Sequence, residues 1–293
     1  MKTTNLLTST PAPVRLHIPD FRRVSITLVG VGGTGSHIAS GLVAIAQQLG
    51  DRGIATDILF VDPDIVEQKN VGRQLFSVAD IGKPKAQVVA ERLNAAFGTR
   101  IGASARAIEA QDIFVPVALP ETLDVVIGAV DNAAARRVLA QVVKQAGGQL
   151  WYLDCGNENH SGQIALGNIA DAKDLRGAVA LGMIDRLPAP ALVYPDLMRP
   201  PSRSKRRTGG EKSRAASCAE LTASGEQSLM VNRVIAAYAL ELLHAFLVTR
   251  EVKWFALAFD MTWGGTKAYT LDVPTLAAVI GLKDDQLVAK GKG

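Results

Sequence analysis

The chain has 293 residues, 48% hydrophobic and 20% charged, enough to bury a core as one large α/β domain, and this composition excludes global disorder. Apolar runs such as 234–247 carry Glu241 and His244 and are read as falling short of a membrane span, and the polar 3–10 stretch offers no signal-peptide block, so a cytoplasmic protein is expected. Two cysteines, Cys155 and Cys218, exclude a disulfide scaffold or a four-cysteine zinc site. The net charge of +4 is a local property: Arg199, Arg203, Lys205, Arg206, Arg207, Lys212 and Arg214 face one acid, Glu211, giving that segment +6 and the remainder −2. No nucleic-acid-binding domain is inferred from it.

Residues 1–22 read as an extended arm broken by Pro11, Pro13 and Pro19. An apolar β-branched run at 24–29 leads into glycine-rich 30–35 and a helix to about Leu49. Residues 58–61 are a buried-strand candidate, 83–97 a helix with Val88, Val89 and Leu93 on one face, and 101–108 a strand. A strand at 123–127 ends near Asp131-Asn132, either of which can cap the helix running to about Ala146. Strands at 150–153 and 163–166 follow.

The alternation predicts a Rossmann-like, doubly wound, mostly parallel sheet with right-handed crossovers. Five prolines between 188 and 201 and the basic run after them predict a long mobile crossing loop over 183–217, unable to sustain helix or central strand. A strong helix is expected over 227–247, antiparallel closing strands over 252–259 and 267–271, and a short helix over 275–280. The organisation is therefore an arm (1–22), a nucleotide-binding core (23–182), the basic crossover loop (183–217) and a C-terminal part of the same domain (218–293).

Gly30, Gly32, Gly33 and Gly35 form a G-x-G-x-x-G pattern between a strand and a helix, where backbone N–H groups can approach a phosphate at the positive helix end. The pattern alone also fits a merely tight turn. No G-x-x-x-x-G-K-[ST] is present, which excludes a Walker-type loop. Asp62 ends the second strand, placed to accept hydrogen bonds from ribose, while Asp64 reads as a solvated or capping acid. Arg73 and Lys85 bracket the same rim with Asn70 between them, a cation clamp suited to charge on phosphoryl oxygens and foreign to hydride transfer, while either one alone reads as a surface cation with no role. Asp131 can hold Mg²⁺ through few protein ligands plus phosphate oxygens.

This ordered set, from the glycine loop through Asp62-Pro63-Asp64, Asn70, Arg73-Gln74, Gly82-Lys83-Pro84-Lys85 and Asp131-Asn132, resembles the adenylation domain of the ThiF/MoeB/HesA, ubiquitin-activating-enzyme-like family. The similarity covers about 24–170 well and the 217–250 helix more loosely. Ser217-Cys218-Ala219-Glu220 resembles the ThiF branch of the PRTRC cassette of bacterial plasmids and mobile elements. The resemblance implies ATP and Mg²⁺ as cofactors and, as partner, a small ubiquitin-like or sulfur-carrier protein with a C-terminal glycine, whose carboxylate attacks the α-phosphate to give an acyl-adenylate and pyrophosphate. It implies phosphates on the glycine loop, ribose on Asp62, triphosphate contacts from Asn70, Arg73 and Lys85, and Mg²⁺ on Asp131. It further implies a homodimer and a crossing loop that clamps the partner's tail, where +6 suits an acidic partner.

Cys218, just after the loop and at a helix start, is either a thioester nucleophile or a buried small hydrophobe; Cys155 reads as core. No histidine shows metal-ligand spacing. The chain departs from the family in lacking paired C-x-x-C motifs and the arm's Arg-Gln signature, for which Arg15, Arg22 or Arg23 are substitutes that nothing in the sequence separates. It carries no rhodanese or ubiquitin-fold domain at its C-terminal end, so a separate protein is expected for any later transfer. Two other readings stay open: a non-catalytic partner-binding or DNA-associated module that keeps the fold, and an NAD(P)-dependent oxidoreductase.

Overall fold

The computed structural model describes residues 12–109, 121–199 and 230–289. An eight-stranded sheet runs in the order β10-β9-β7-β6-β5-β2-β3-β4. Its parallel part comprises β2 (Arg23–Val29), β3 (Ala55–Val61), β4 (Gly102–Ser104), β5 (Thr122–Gly128) and β6 (Leu150–Asn157). The antiparallel part is β7 (Ser161–Gly167), β9 (Trp254–Asp260) and β10 (Gly265–Thr270). The fold is thus Rossmann-like with antiparallel C-terminal strands, as the alternation implied.

Alternation along the parallel strands sorts the core. Val24, Ile26 and Leu28 of β2 and Val125 and Ile127 of β5 enter a large cluster with Ile38 and Leu42 of helix α1 (Gly33–Gly50) and Val88 and Leu93 of α2 (Lys85–Phe97). Val29 and Val126 point the other way, onto Leu139, Val142 and Val143 of α3 (Ala133–Ala146). Both faces are covered, which is why these strands read as nearly continuous apolar runs.

Several boundaries moved for local reasons. α2 starts at Lys85 and not at 83, with Pro84 in extended backbone at its N-cap; a proline biases the residue before it away from helical geometry. The strand expected over 101–108 shrinks to Gly102–Ser104. The described part of the arm, from residue 12, packs on the domain: β1 (Arg15–Leu16) pairs in parallel with β8 (Met183–Ile184), and Val14, Leu16 and Ile18 are buried.

Residues 183–199 also depart from the expected featureless loop. They hold β8, a helical turn at Pro190–Val193 and a 3-10 turn at Pro195–Met198. Each turn carries proline at its start, where the missing N–H would be unbonded in any case and the fixed φ suits a helix. The rest of the basic run and Cys218 lie outside the described residues.

Helix α4 (Val231–His244) continues through a π turn to Thr249. The segment Val231–Thr249, 19 residues with mean hydropathy 1.5, is long and apolar enough to cross a membrane by length and composition, which corrects the expectation from 234–247. In the fold it serves as a core helix: Val231, Ile235, Ala239, Leu242 and Leu243 are buried in the large cluster. Helix α5 (Val273–Ile280) starts on an Asp272 cap, and a one-turn helix at Asp284–Leu287 follows it.

A candidate nucleotide cleft

The chain runs from β2 outward through β3 to β4, then returns to the other side of β2 to form β5 and β6. That reversal makes the C-terminal ends of β2 and β5 the switch point where open α/β sheets place ligands. Val29 lies in register with Val61 on one side and Gly128 on the other, so the three following loops leave the sheet side by side. Between them is a cleft of about 710 Å³, within the range of small-molecule sites.

The glycines of the first loop do different jobs. Gly30 has φ +86°, and a Cβ there would lie 2.5 Å from the Ala129 carbonyl oxygen. At Gly35 a Cβ would lie 1.9 Å from the Gly30 carbonyl oxygen, so this glycine lets α1 fold back on its own loop. At Gly32, on the cleft, a Cβ would meet Gln74 only at ordinary contact distance, 3.6 Å. Gly32 is also the N-cap of α1, which has no side-chain cap; the positive helix end opens onto the cleft.

Asp62 is buried, its Oδ2 accepting the Val31 N–H at 2.6 Å and its Oδ1 the Asp64 N–H at 2.9 Å. Burial raises its pKa, opposed by those two N–H groups and by Lys85. The carboxylate therefore braces the glycine loop and keeps lone pairs for a hydroxyl at the cleft wall. Asp64 is more than the solvated acid expected of it: its Oδ2 accepts from Lys85 Nζ at 2.8 Å, and the Lys85 side chain is only 8% exposed. Asn70, also buried, accepts the Glu67 N–H through Oδ1 at 2.8 Å, which shapes the turn and leaves its Nδ2 as a donor. Asp62, Lys85 and Asn70 all line the cleft.

On the far wall, the choice of cap left open by the sequence falls on Asn132, whose side chain accepts the Ala135 N–H at 2.8 Å. Asp131 is exposed and lines the cleft. Beneath it, buried Arg136 donates from Nη2 to the Val130 carbonyl at 2.7 Å and from Nε to Asp154 Oδ1 at 3.3 Å. The Tyr152 hydroxyl donates to the same oxygen at 2.5 Å. Burial raises the pKa of Asp154, with Arg136 and Tyr152 pulling it down, and its Oδ2 has no partner among the described residues.

Of the residues singled out in the sequence, Gly30, Gly32, Gly33, Asp62, Asn70, Lys85 and Asp131 share the cleft, and Gly35 packs under it. Arg73 does not line it. It lines an adjoining hollow with His37, Arg92 and Arg233, while Gln74 borders both. Cys155 is buried, and burial pushes its thiol pKa well up, as expected of a core cysteine. Arg22 and Arg23, two candidates for a replacement arm arginine, pair with Glu121 and Asp57 of the same chain at the opposite ends of the strands. Among the described residues, no group of three or more His, Cys, Asp or Glu is placed to hold a metal.

The sequence reading missed Arg136, Asp154, Asn157 and Asn232. Arg136 and Asp154 each stand as a charge inside an otherwise apolar helix face or strand. Asn232 interrupts the apolar face of α4 between Val231 and Ile235, a signal visible in the helical period.

Comparison with known proteins agrees with this fold. A crystal structure of PaaA superposes with a TM-score of 0.51 over 85% of this chain and 64% of that one, at 12% identity, a likeness of fold. The NEDD8-activating enzyme E1 catalytic subunit of Saccharomyces cerevisiae is 38% identical over 73 residues, 25% of this chain. The chain spans about a fifth of that relative's length (22%). Residues 17–164, half of the chain, match the ThiF family, and the protein belongs to that family.

Proposed function

We propose that the cleft binds ATP and that the protein adenylates the C-terminal glycine of a small ubiquitin-like or sulfur-carrier protein. The observation that carries this reading is the convergence of the uncapped α1 N-terminus, Asp62, Asn70, Lys85 and Asp131 on one cleft from three strand ends. Phosphates lie on the helix N-terminus, ribose hydroxyls donate to Asp62, and Lys85 exchanges its Asp64 partner for phosphate oxygens. Arg73, which lines the adjoining hollow one residue before Gln74, is the second cation assigned to the triphosphate in this reading.

The donor set suits magnesium. One exposed carboxylate, Asp131, with no metal-ligating cluster among the described residues, fits an ion that takes its other ligands from water and phosphate. Bound there, it would neutralise charge on the phosphoryl oxygens. The protein's own part is to orient: Arg136 fixes the Val130 carbonyl, and with it the position of Asp131. The partner's carboxylate oxygen bonds to the α-phosphorus as the bond to the bridging oxygen breaks, releasing pyrophosphate and leaving an acyl-adenylate.

The finer readings are a homodimer, a cytoplasmic location and membership of the PRTRC branch. In a second step the Cys218 thiolate attacks the acyl carbonyl, expelling AMP and leaving a thioester. The oxidoreductase alternative has no use for Lys85 and Asp131 in the cleft. A partner- or DNA-binding module would rest on the basic run between 199 and 214, most of it outside the described residues.

Pyrophosphate exchange into ATP, measured with glycine-terminated candidate proteins encoded beside this one, tests the proposal. Exchange should appear with one of them and fall by about a hundredfold or more in Asp131→Ala and Arg73→Ala, as for loss of transition-state charge stabilisation. Absence of exchange with every such partner, or full exchange in Asp131→Ala, would overturn it. A reducible enzyme–partner adduct that survives Cys218→Ala would remove the thioester step alone.

A further inference from the structure

Asn232 lies on the buried face of α4, is only 9% exposed, and lines the nucleotide cleft. Its Oδ1 accepts two hydrogen bonds, from Thr34 Oγ1 at 3.0 Å and from Asn157 Nδ2 at 2.6 Å. A carboxamide oxygen has two lone pairs, so its acceptor side is filled and the group is held from two elements at once. Its Nδ2, with two protons to donate, has no partner among the described residues. That nitrogen sits directly over the loop: a Cβ on Gly33 would come within 2.4 Å of it. Gly33 is not in a positive-φ conformation, so the approach of Asn232, and not backbone geometry, is what requires glycine there.

The unpartnered donor therefore stands beside the uncapped N-terminus of α1, on the same cleft. The donor and the helix end face the same cleft and lack the same thing, an anionic oxygen. We propose that Asn232 Nδ2 is a direct ligand of a nucleotide phosphate oxygen seated above residues 32–34. This rests on the ATP reading of the cleft. It also gives the nucleotide a contact on α4, so that phosphate binding and the placement of that helix start are linked.

Asn232→Asp tests the assignment in the full-length chain, because it keeps the side-chain volume and the acceptor for Thr34 and Asn157 while replacing the donor with an anionic oxygen. Calorimetric titration with Mg-ATP and with inorganic tripolyphosphate should show both affinities falling by about tenfold to a hundredfold, the worth of a hydrogen bond to a charged group. The ligand-free melting temperature should stay within about 2 °C of wild type, since the Oδ1 contacts to Thr34 and Asn157 are kept. Asn232→Ala, measured alongside, should give a smaller loss in the same two titrations and serves if the aspartate variant does not fold. Wild-type affinity for both ligands in either variant would overturn the assignment, as would a loss found only together with a lowered melting temperature. If the wild-type chain binds neither ligand, the ATP reading itself falls and this assignment with it; if it binds both and Asn232→Asp does too, the assignment alone falls.

Discussion

On one wall of the cleft the working surface is backbone. The turn from β2 into α1 closes through glycines whose missing side chains are filled by the Ala129 and Gly30 carbonyls and by Asn232, and its one carboxylate, Asp62, is buried and bonded to two N–H groups. On the opposite wall the working group is a side chain. Asp131 is exposed, its neighbour Asn132 does the capping, and the load of holding the turn passes inward to Arg136, Asp154 and Tyr152. In the first wall, Gly30 and Gly35 cannot gain a side chain without disturbing the fold. In the second, stability and chemistry sit on different residues, so they can be separated by mutation.

The sharpest break in that contrast should come from the buried pair under the second wall. Arg136→Ala leaves Asp154 as an unpaired buried carboxylate and should cost about 3–5 kcal/mol in urea denaturation. A loss under 1 kcal/mol would show that the pair does not hold the turn. Next comes the first wall: Gly35→Ala drives a Cβ into the Gly30 carbonyl and should cost about 3 kcal/mol, with backbone movement that also weakens ATP binding. A well-folded Gly35→Ala with unchanged nucleotide affinity would contradict the backbone account of this wall.

The smallest stability effects should separate adjacent residues. Asn132→Ala should cost about 1 kcal/mol through the lost cap. Asp131→Ala should stay within about 0.5 kcal/mol, as exposed positions do, while cutting pyrophosphate exchange by about a hundredfold or more. Equal stability losses in the two variants would mean that capping and ligand binding are shared between them, and the separation of roles on this wall would fail.

Much of this was legible in the chain itself. Apolar β-branched runs alternating with helical stretches defined the sheet, because strands covered on both faces need side chains that are apolar throughout. The glycine spacing, the acid at the end of β3, and Asn70, Lys85 and Asp131 were readable because a strand end followed by a loop is where such groups reach a ligand at all. Asn232 and Arg136 were harder. Each is a polar interruption in an apolar helix, and what it touches depends on which strand or loop the helix lands upon.

Residue order alone therefore determined the strand–helix alternation, the glycine turn and the identity of most cleft groups, since these follow from local periodicity and backbone sterics. Only the tertiary structure decided that Asn132 caps while Asp131 stays open, that Asp64 pairs with Lys85, that Arg73 turns into the adjoining hollow, and that α4 delivers Asn232 over Gly33. Those outcomes depend on distances between segments up to 199 residues apart in the chain, as Gly33 and Asn232 are, and such distances are set by how helices pack on the sheet and not by any local pattern.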